Sequence, residues 1–233
     1  MINGIAGVGI LGLGKSLPEK VLTNFDLEKI VDTTNEWIVK RTGISRRRLL
    51  GENQPLYELG VEAANNAIID AGLTAREIDL IIVTTETPDY LAPNMACIIQ
   101  GKIGAERAAA FDLNAACSGF VYALAVAKQF VETGFYKHIL IVACEGLSRI
   151  VDWKDRATCV LFGDGAGAVV VGPVDRGYGI KAMEIGADGT LGHNITIPCC
   201  YMSQDDLAKR PHEKKNVIWM DGSEVFKFAV RTM

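Results

Sequence analysis

The sequence predicts an α/β protein with a mostly parallel sheet and helices on both of its faces. Two observations carry that prediction. Short apolar runs at residues 80–85, 108–113, 138–144 and 166–171 alternate with longer, amphipathic ones. Such runs are strand-length and turn-bounded, and the helical patterns between them have the spacing of βαβ units. At 233 residues, 49% of them hydrophobic and 22% charged, the chain can bury a substantial core.

Taken in order, residues 2–6 read as a strand, and the glycine-rich GVGILGLGKS follows. Residues 7–12 fit a dinucleotide-binding fingerprint and residues 9–16 fit a phosphate-cradling loop. Both mechanisms need the glycines to run directly into a helix whose N-terminus faces phosphate. Leu17-Pro18 and a new N-cap signal at Thr23 leave little room for one, so a coil after an edge strand is the simpler reading. Residues 26–32 and 35–41 read as short helices, and Arg46-Arg47-Arg48 closes this segment. Residues 55–71 form a strong amphipathic helix, with Leu56, Leu59, Ala63, Ala67 and Ile68 inward and Gly72 as its stop. Residues 95–103 form another helix, and Gly134 ends a long one. Residues 145–156 read as loop. Beyond Gly172-Pro173 the character shifts: strands are expected at 180–186, 195–198 and 217–220, a charged loop at 204–215, and a helix from Ser223.

The balance of charge excludes some partners. A net charge of −4 and a pI near 5.5 give no general attraction to nucleic acid or an anionic membrane. No apolar run has the length of a membrane span, and the N-terminus lacks the cationic start of a secretory signal. The six cysteines contain no CxxC pair, so no metal site is expected. Cys97, Cys144 and Cys159 sit in apolar runs as structural thiols do in a reducing cytoplasm, and a Cys199–Cys200 disulfide is not expected.

Residues 108–132 organise the rest. The run 108–113 reads as a buried strand that breaks at Asn114-Ala115-Ala116 and hands over to a helix opening on Cys117. Unpaired N–H groups and partial positive charge at a helix start favour a thiolate. On this pattern alone, a nucleophile and a structural thiol both stand. Trp37 beside several guanidinium groups suits a ligand with an aromatic base and phosphates, or equally a packed indole next to a solvated face.

Four segments then narrow the choice: DTTNEWIVKRTGI at 32–44, DLNAACSGF at 112–120, LFGDGAGA at 161–168 and MDGSEVFK at 220–227. In these the chain resembles the β-ketoacyl-acyl-carrier-protein synthase III family of thiolase-like condensing enzymes, collinearly over nearly its whole length. The resemblance implies a layered αβα thiolase-like architecture. It implies that Cys117 accepts the acyl group, and that Trp37 and Arg156 sandwich the adenine of coenzyme A, with Thr33 and Arg41 near its nucleotide end. Phe162 would line the acyl pocket, and Gly222 and Phe226 the pantetheine tunnel. Acetyl-coenzyme A or another short acyl-coenzyme A would be the donor substrate, with no separate cofactor and no metal. Malonyl-acyl carrier protein would be the acceptor, landing on Arg46-Arg47-Arg48 or on Lys209-Arg210 and Lys214-Lys215, and the protein would be a homodimer of the cytoplasm.

The resemblance also implies two halves, 1–173 carrying the nucleophile and 174–233 opening a second half cut short. The family's decarboxylation step uses a histidine and an asparagine of that second half. His138, His193 and His212 do not stand in the family's histidine motif. These 233 residues alone are therefore expected to be impaired in condensation. The alternatives are a non-catalytic thiolase-fold subunit that binds acyl carriers and, more remotely, a phosphate-loop nucleotide-binding protein.

Overall fold

The computed structural model describes residues 7–232; the strand expected at 2–6 lies outside them. The chain packs as two units, each assembled from three stretches. The first takes residues up to Lys20, Leu50–Gly146 and Asp164–Ile185; the second takes Val21–Leu49, Leu147–Gly163 and the chain from Gly186 onward.

The first unit is a five-stranded sheet in the order β1-β7-β6-β4-β5. Its strands are β1 (Gly7–Ser16), β4 (Leu80–Thr84), β5 (Ala109–Asp112), β6 (Ile139–Gly146) and β7 (Asp164–Val174), numbered in chain order with β2 (Lys20–Thr23) and β3 (Arg46–Leu49), which pair with each other. β4 is parallel to β5 and β6, and β7 is antiparallel to both β6 and β1. Four strands therefore share one direction and only β7 is reversed, as a mostly parallel mixed sheet requires. Alternation along β4 divides the core. Ile81 and Val83 pack toward α3 (Leu56–Asp70) and α4 (Met95–Ile103), while Leu80 and Ile82 pack toward α5 (Gly119–Glu132). All five apolar residues expected on the inner face of α3 are buried.

The glycine-rich stretch corrects the coil expected there: it is β1 itself, an edge strand against which α3 lies. An added Cβ at Gly14 would land on the carbonyl of Ala63, and one at Gly12 on the carbonyl of Ala67. Only glycine allows helix and strand backbones to approach so closely. In return α3 covers the free edge of the strand. Asp70 accepts the Leu13 N–H at 2.8 Å, and the Asn66 amide donates to the Lys15 carbonyl at 3.2 Å. A glycine strand buried under a helix does not form the loop-into-helix cradle that a phosphate site requires.

Several other expectations shift. The run at 108–113 is not a buried strand: β5 stands at the sheet edge, with Ala109 and Asp112 exposed. β6 continues through Glu145 and Gly146, so the loop expected from 145 begins later, with a one-turn 3-10 helix at Leu147–Arg149. Residues 180–186 form no strand, although the Ile180 N–H reaches the Val8 carbonyl at 2.7 Å.

The second unit has its own core of Leu27, Ile38, Val151, Cys159, Val160 and Ile218. The helix expected over 26–32 starts earlier and is shorter, α1 (Asn24–Leu27), and residues 28–30 continue it as turns. Thr23 and Asp26 cap each other reciprocally, and the hydroxyl and N–H of Thr23 pull the Asp26 carboxyl down to about 2. α2 (Asn35–Thr42) runs from the Thr34 cap to left-handed Gly43. α6 (Arg156–Cys159) follows, then a ribbon of β8 (Ile195–Thr196) and β9 (Trp219–Met220), and finally α8 (Gly222–Thr232). Between the ribbon strands the charged loop contains a short helix, α7 (Gln204–Ala208), capped by the Ser203 hydroxyl.

Candidate active site

In the first unit, the sequence from β5 into α5 builds a turn around one sulfur. The Leu113 N–H donates to the Val83 carbonyl at 2.8 Å and so ties the exit of β5 to β4. The Asn114 side chain then accepts the Ala116 N–H at 3.2 Å, a local turn of the kind asparagine favours. Ala116 has φ +48, a left-handed conformation that costs a residue with a Cβ about 1 kcal/mol. The strain lies one residue before Cys117.

Residues Ala116–Ser118 form a single 3-10 turn, and α5 proper begins at Gly119. The helix thus opens two residues after Cys117 rather than on it, and the sulfur stands in the lead-in turn. Gly119 is buried against β4: a Cβ there would come within 3.1 Å of the Thr84 Cβ. Below it Ala123, Ala127 and Val131 continue the buried face at a spacing of four. This seating leaves Cys117 exposed, whereas Cys144 and Cys159 are buried. Burial pushes both buried thiols upward, away from the reactive thiolate. Cys97, expected with the structural thiols, is instead exposed on α4, because Met95, Ala96 and Ile99 take the inward positions.

Two carboxylates brace this region. Asp112, at the end of β5, accepts the N–H groups of Met95 and Ala96 at 2.9 and 2.8 Å and so caps α4. Glu145, at the end of β6, accepts the Glu86 N–H at 2.7 Å and the Thr87 hydroxyl at 2.8 Å. Burial, set against those bonds, raises the Glu145 carboxyl to about 7. From sequence Glu145 reads as the first residue of a polar loop; its only signal is an acidic residue directly after an apolar run.

In the second unit, α2 and α6 bring three of the expected residues together. The guanidinium carbons of Arg156 and Arg41 lie 5.1 and 5.9 Å from the centroid of the Trp37 indole. Arg156 is also held by the Asp32 carbonyl at 2.9 Å. The hydroxyl of Thr33, the next residue, is buried and has no hydrogen-bond partner. Phe162 packs against the second unit's core, and Gly222 and Phe226 stand one turn apart on α8, with Phe226 exposed.

The basic cluster is not a uniform surface patch. Arg47 is buried and donates to the Asn24 side chain at 3.0 Å and the Val160 carbonyl at 3.1 Å. Strand alternation turns it inward between its two neighbours, and burial lowers its pKa. In the other basic group, Lys209, Arg210 and Lys214 pair with Asp206, Glu213 and Asp152. Among the described residues no three acidic, histidine or cysteine side chains are grouped to hold a metal, and no helix is long and apolar enough to cross a membrane.

Residues 111–189, which contain the Cys117 turn, match the family model described as 3-Oxoacyl-[acyl-carrier-protein (ACP)] synthase III. The chain is 52% identical over 225 residues to the β-ketoacyl-[acyl-carrier-protein] synthase III of Caldanaerobacter subterraneus subsp. tengcongensis, covering 97% of this chain and 68% of that one. This chain belongs to the 3-oxoacyl-[acyl-carrier-protein] synthase III family. The synthase III of Geobacillus kaustophilus is 51% identical over 97% of this chain and 68% of its own length. The crystal structure of the synthase III from Aquifex aeolicus VF5 superposes with a TM-score of 0.88 at 45% identity, over 97% of this chain and 68% of that one. The thiolase-like architecture follows from that match. Synthase III proteins are condensing acyltransferases of fatty-acid biosynthesis, and the turn around Cys117 lies within the segment matched to them.

Proposed function

We propose that Cys117 is the acyl-accepting nucleophile and that the donor is acetyl-coenzyme A or another short acyl-coenzyme A. One observation carries this reading: the exposed Cys117 stands on a strained turn, while two other cysteines of the chain are buried in its cores. Sγ attacks the thioester carbonyl, the bond from that carbonyl to the coenzyme A sulfur breaks, and coenzyme A leaves as its thiol. The acyl group remains as a Cys117 thioester. Malonyl-acyl carrier protein then loses carbon dioxide, and the carbanion displaces Cys117 to give a 3-oxoacyl product.

For the donor's nucleotide end, the Trp37 face between two guanidinium groups supports adenine stacking, with Thr33 and Arg41 beside it. Inserting a base between Trp37 and Arg156 needs about 3.5 Å on each side, roughly 7 Å in all. The present 5.1 Å therefore calls for Arg156 to swing aside and close again over the base. Phe162 is read as lining the acyl pocket, and Gly222 and Phe226 the pantetheine arm. The acyl carrier protein would meet Arg46 and Arg48 rather than Arg47. Two copies are read as associating into a homodimer of the cytoplasm, with residues 174–233 opening a second half.

The test is incubation of a polypeptide of these residues with radiolabelled acetyl-coenzyme A, followed by mass analysis of the peptide carrying the label. Label on Cys117 that vanishes in Cys117→Ala is expected. Label that persists in that variant would refute the nucleophile, and no label at all would favour a non-catalytic carrier-binding subunit. Little product is expected from the same polypeptide on adding malonyl-acyl carrier protein, because none of its histidines stands in the family's motif.

A further inference from the structure

The C-terminal end of β4 touches the Cys117 turn on both sides. Before the turn, the Val83 carbonyl holds the Leu113 N–H at 2.8 Å; after it, Thr84 packs on Gly119. The segment that continues β4 is fastened by Glu145. Its Oε1 accepts the Glu86 N–H at 2.7 Å, and its Oε2 accepts the Thr87 hydroxyl at 2.8 Å. The Thr87 hydroxyl oxygen in turn accepts the Gly146 N–H at 2.8 Å, and the Thr87 N–H donates to the Thr85 hydroxyl at 3.1 Å. Thr84, Thr85 and Thr87 are all buried. Farther along, Asp89 accepts the N–H groups of Leu56 and Tyr57 and fixes the segment to α3.

We propose that Glu145 is a positioning residue for Cys117, and that its ionised carboxylate holds the 84–87 segment against the turn presenting the sulfur. The geometry fits the ionised form. Both carboxylate oxygens receive donors: the Thr87 hydroxyl gives its single proton to Oε2 while its oxygen accepts from Gly146. A proton on Oε2 ends the charge-assisted bond, because the Thr87 hydroxyl must then turn its own proton away, and the strap loosens. The charges that act here among the described residues are acidic: Glu86 raises the Glu145 carboxyl, and Glu145, Asp112 and Asp89 raise the thiol of the adjacent Cys144. No cation among them offsets the burial, so protonation falls near neutral pH. The catalytic meaning of this device rests on the assignment of Cys117 as nucleophile.

The experiment reads Cys117 directly and needs no coenzyme A. Alkylation by iodoacetamide is followed by mass spectrometry from about pH 5.5 to about pH 8.5 in the wild type and Glu145→Gln, with exposed Cys199 and Cys200 as internal references. Glutamine keeps the shape of the side chain and removes the titration. The ratio of wild-type to variant rates at Cys117 is expected to change several-fold through neutral pH, while the ratios at Cys199 and Cys200 stay flat. The backbone amide resonances of Glu86 and Gly146 should titrate in the wild type and stop titrating in the variant. Thr87→Val should move that titration upward and Thr87→Ser should retain it, which keeps the idea testable if Glu145→Gln folds poorly. A flat Cys117 ratio, or amide titration that survives in Glu145→Gln, would overturn the proposal. Failure of acetyl labelling with these results intact would instead count against the nucleophile assignment.

Discussion

Arg156 lies over the face of Trp37, its guanidinium carbon 5.1 Å from the indole centroid, and is held there by the Asp32 carbonyl. A cation on an indole face contributes about 0.5–2 kcal/mol, and the same contact is available to an adenine slipped between them. Arg156→Ala is therefore expected to weaken coenzyme A binding by roughly twofold to thirtyfold. Trp37→Ala should weaken it further and Trp37→Phe less, as titration calorimetry would show. Equal affinity in Arg156→Ala and wild type would remove Arg156 from the donor site.

Close packing of β1 under α3 makes Gly14 irreplaceable. Gly14→Ala would drive a methyl group into the Ala63 carbonyl, and backbone cannot move aside as a side chain can. A loss of about 1–3 kcal/mol or more is expected in urea unfolding. Gly101 is the contrasting case. It lies within α4 with nothing inside 4 Å of an added Cβ, so Gly101→Ala should gain up to about 1 kcal/mol.

Glu145 makes stability fall as pH rises. Its carboxyl titrates near 7 when folded, against an ordinary value of 4.5, so between those limits the native state binds the extra proton. Below them both states are protonated and nothing is lost; above them the folded chain carries a half-buried, desolvated charge at a cost of about 3 kcal/mol. Urea midpoints should drop from acid to mildly alkaline pH in the wild type, and Glu145→Gln should flatten this component. A wild-type stability that rises over the same range by a similar amount would contradict the buried charge.

Arg47 distinguishes a structural arginine from a docking one. Removing it strands the Asn24 oxygen and the Val160 carbonyl, each at a cost of about 1–3 kcal/mol. Arg47→Ala should lower stability by that order while carrier-protein affinity of the folded fraction stays unchanged. Arg46→Ala should do the reverse, with stability moving by about 0.5 kcal/mol or less. Surface plasmon resonance against acyl carrier protein, beside chemical unfolding, separates the two.

Much of the scaffold was legible because its signals are local. Periodicity marks α3 and its buried face, Thr23 with Asp26 marks the start of α1, and glycine marks the ends of α2 and α5. Even the turn around Cys117 was visible as a strand breaking at Asn114. What stayed hidden depends on neighbours distant in sequence. The glycines of β1 looked like a loop because their cause is the backbone of α3, some fifty residues on. Arg47 looked like surface because strand alternation acts on one residue of three, and Glu145 looked like loop because its donors come from the distant 85–87 segment.

For this protein the sequence by itself determined the order of the central strands β4 to β7 and helices α3 to α5, the family likeness and the place of Cys117 at a strand-to-helix junction. Local conformational preference and apolar spacing suffice for that. Tertiary structure alone decided that Cys117 is exposed while Cys144 and Cys159 are buried, that Arg156 rests on Trp37, and that a half-buried carboxylate fastens the segment beside the turn. Exposure, stacking and a shifted proton affinity are set by which distant groups exclude water from each other, and that exclusion exists only once the chain has folded.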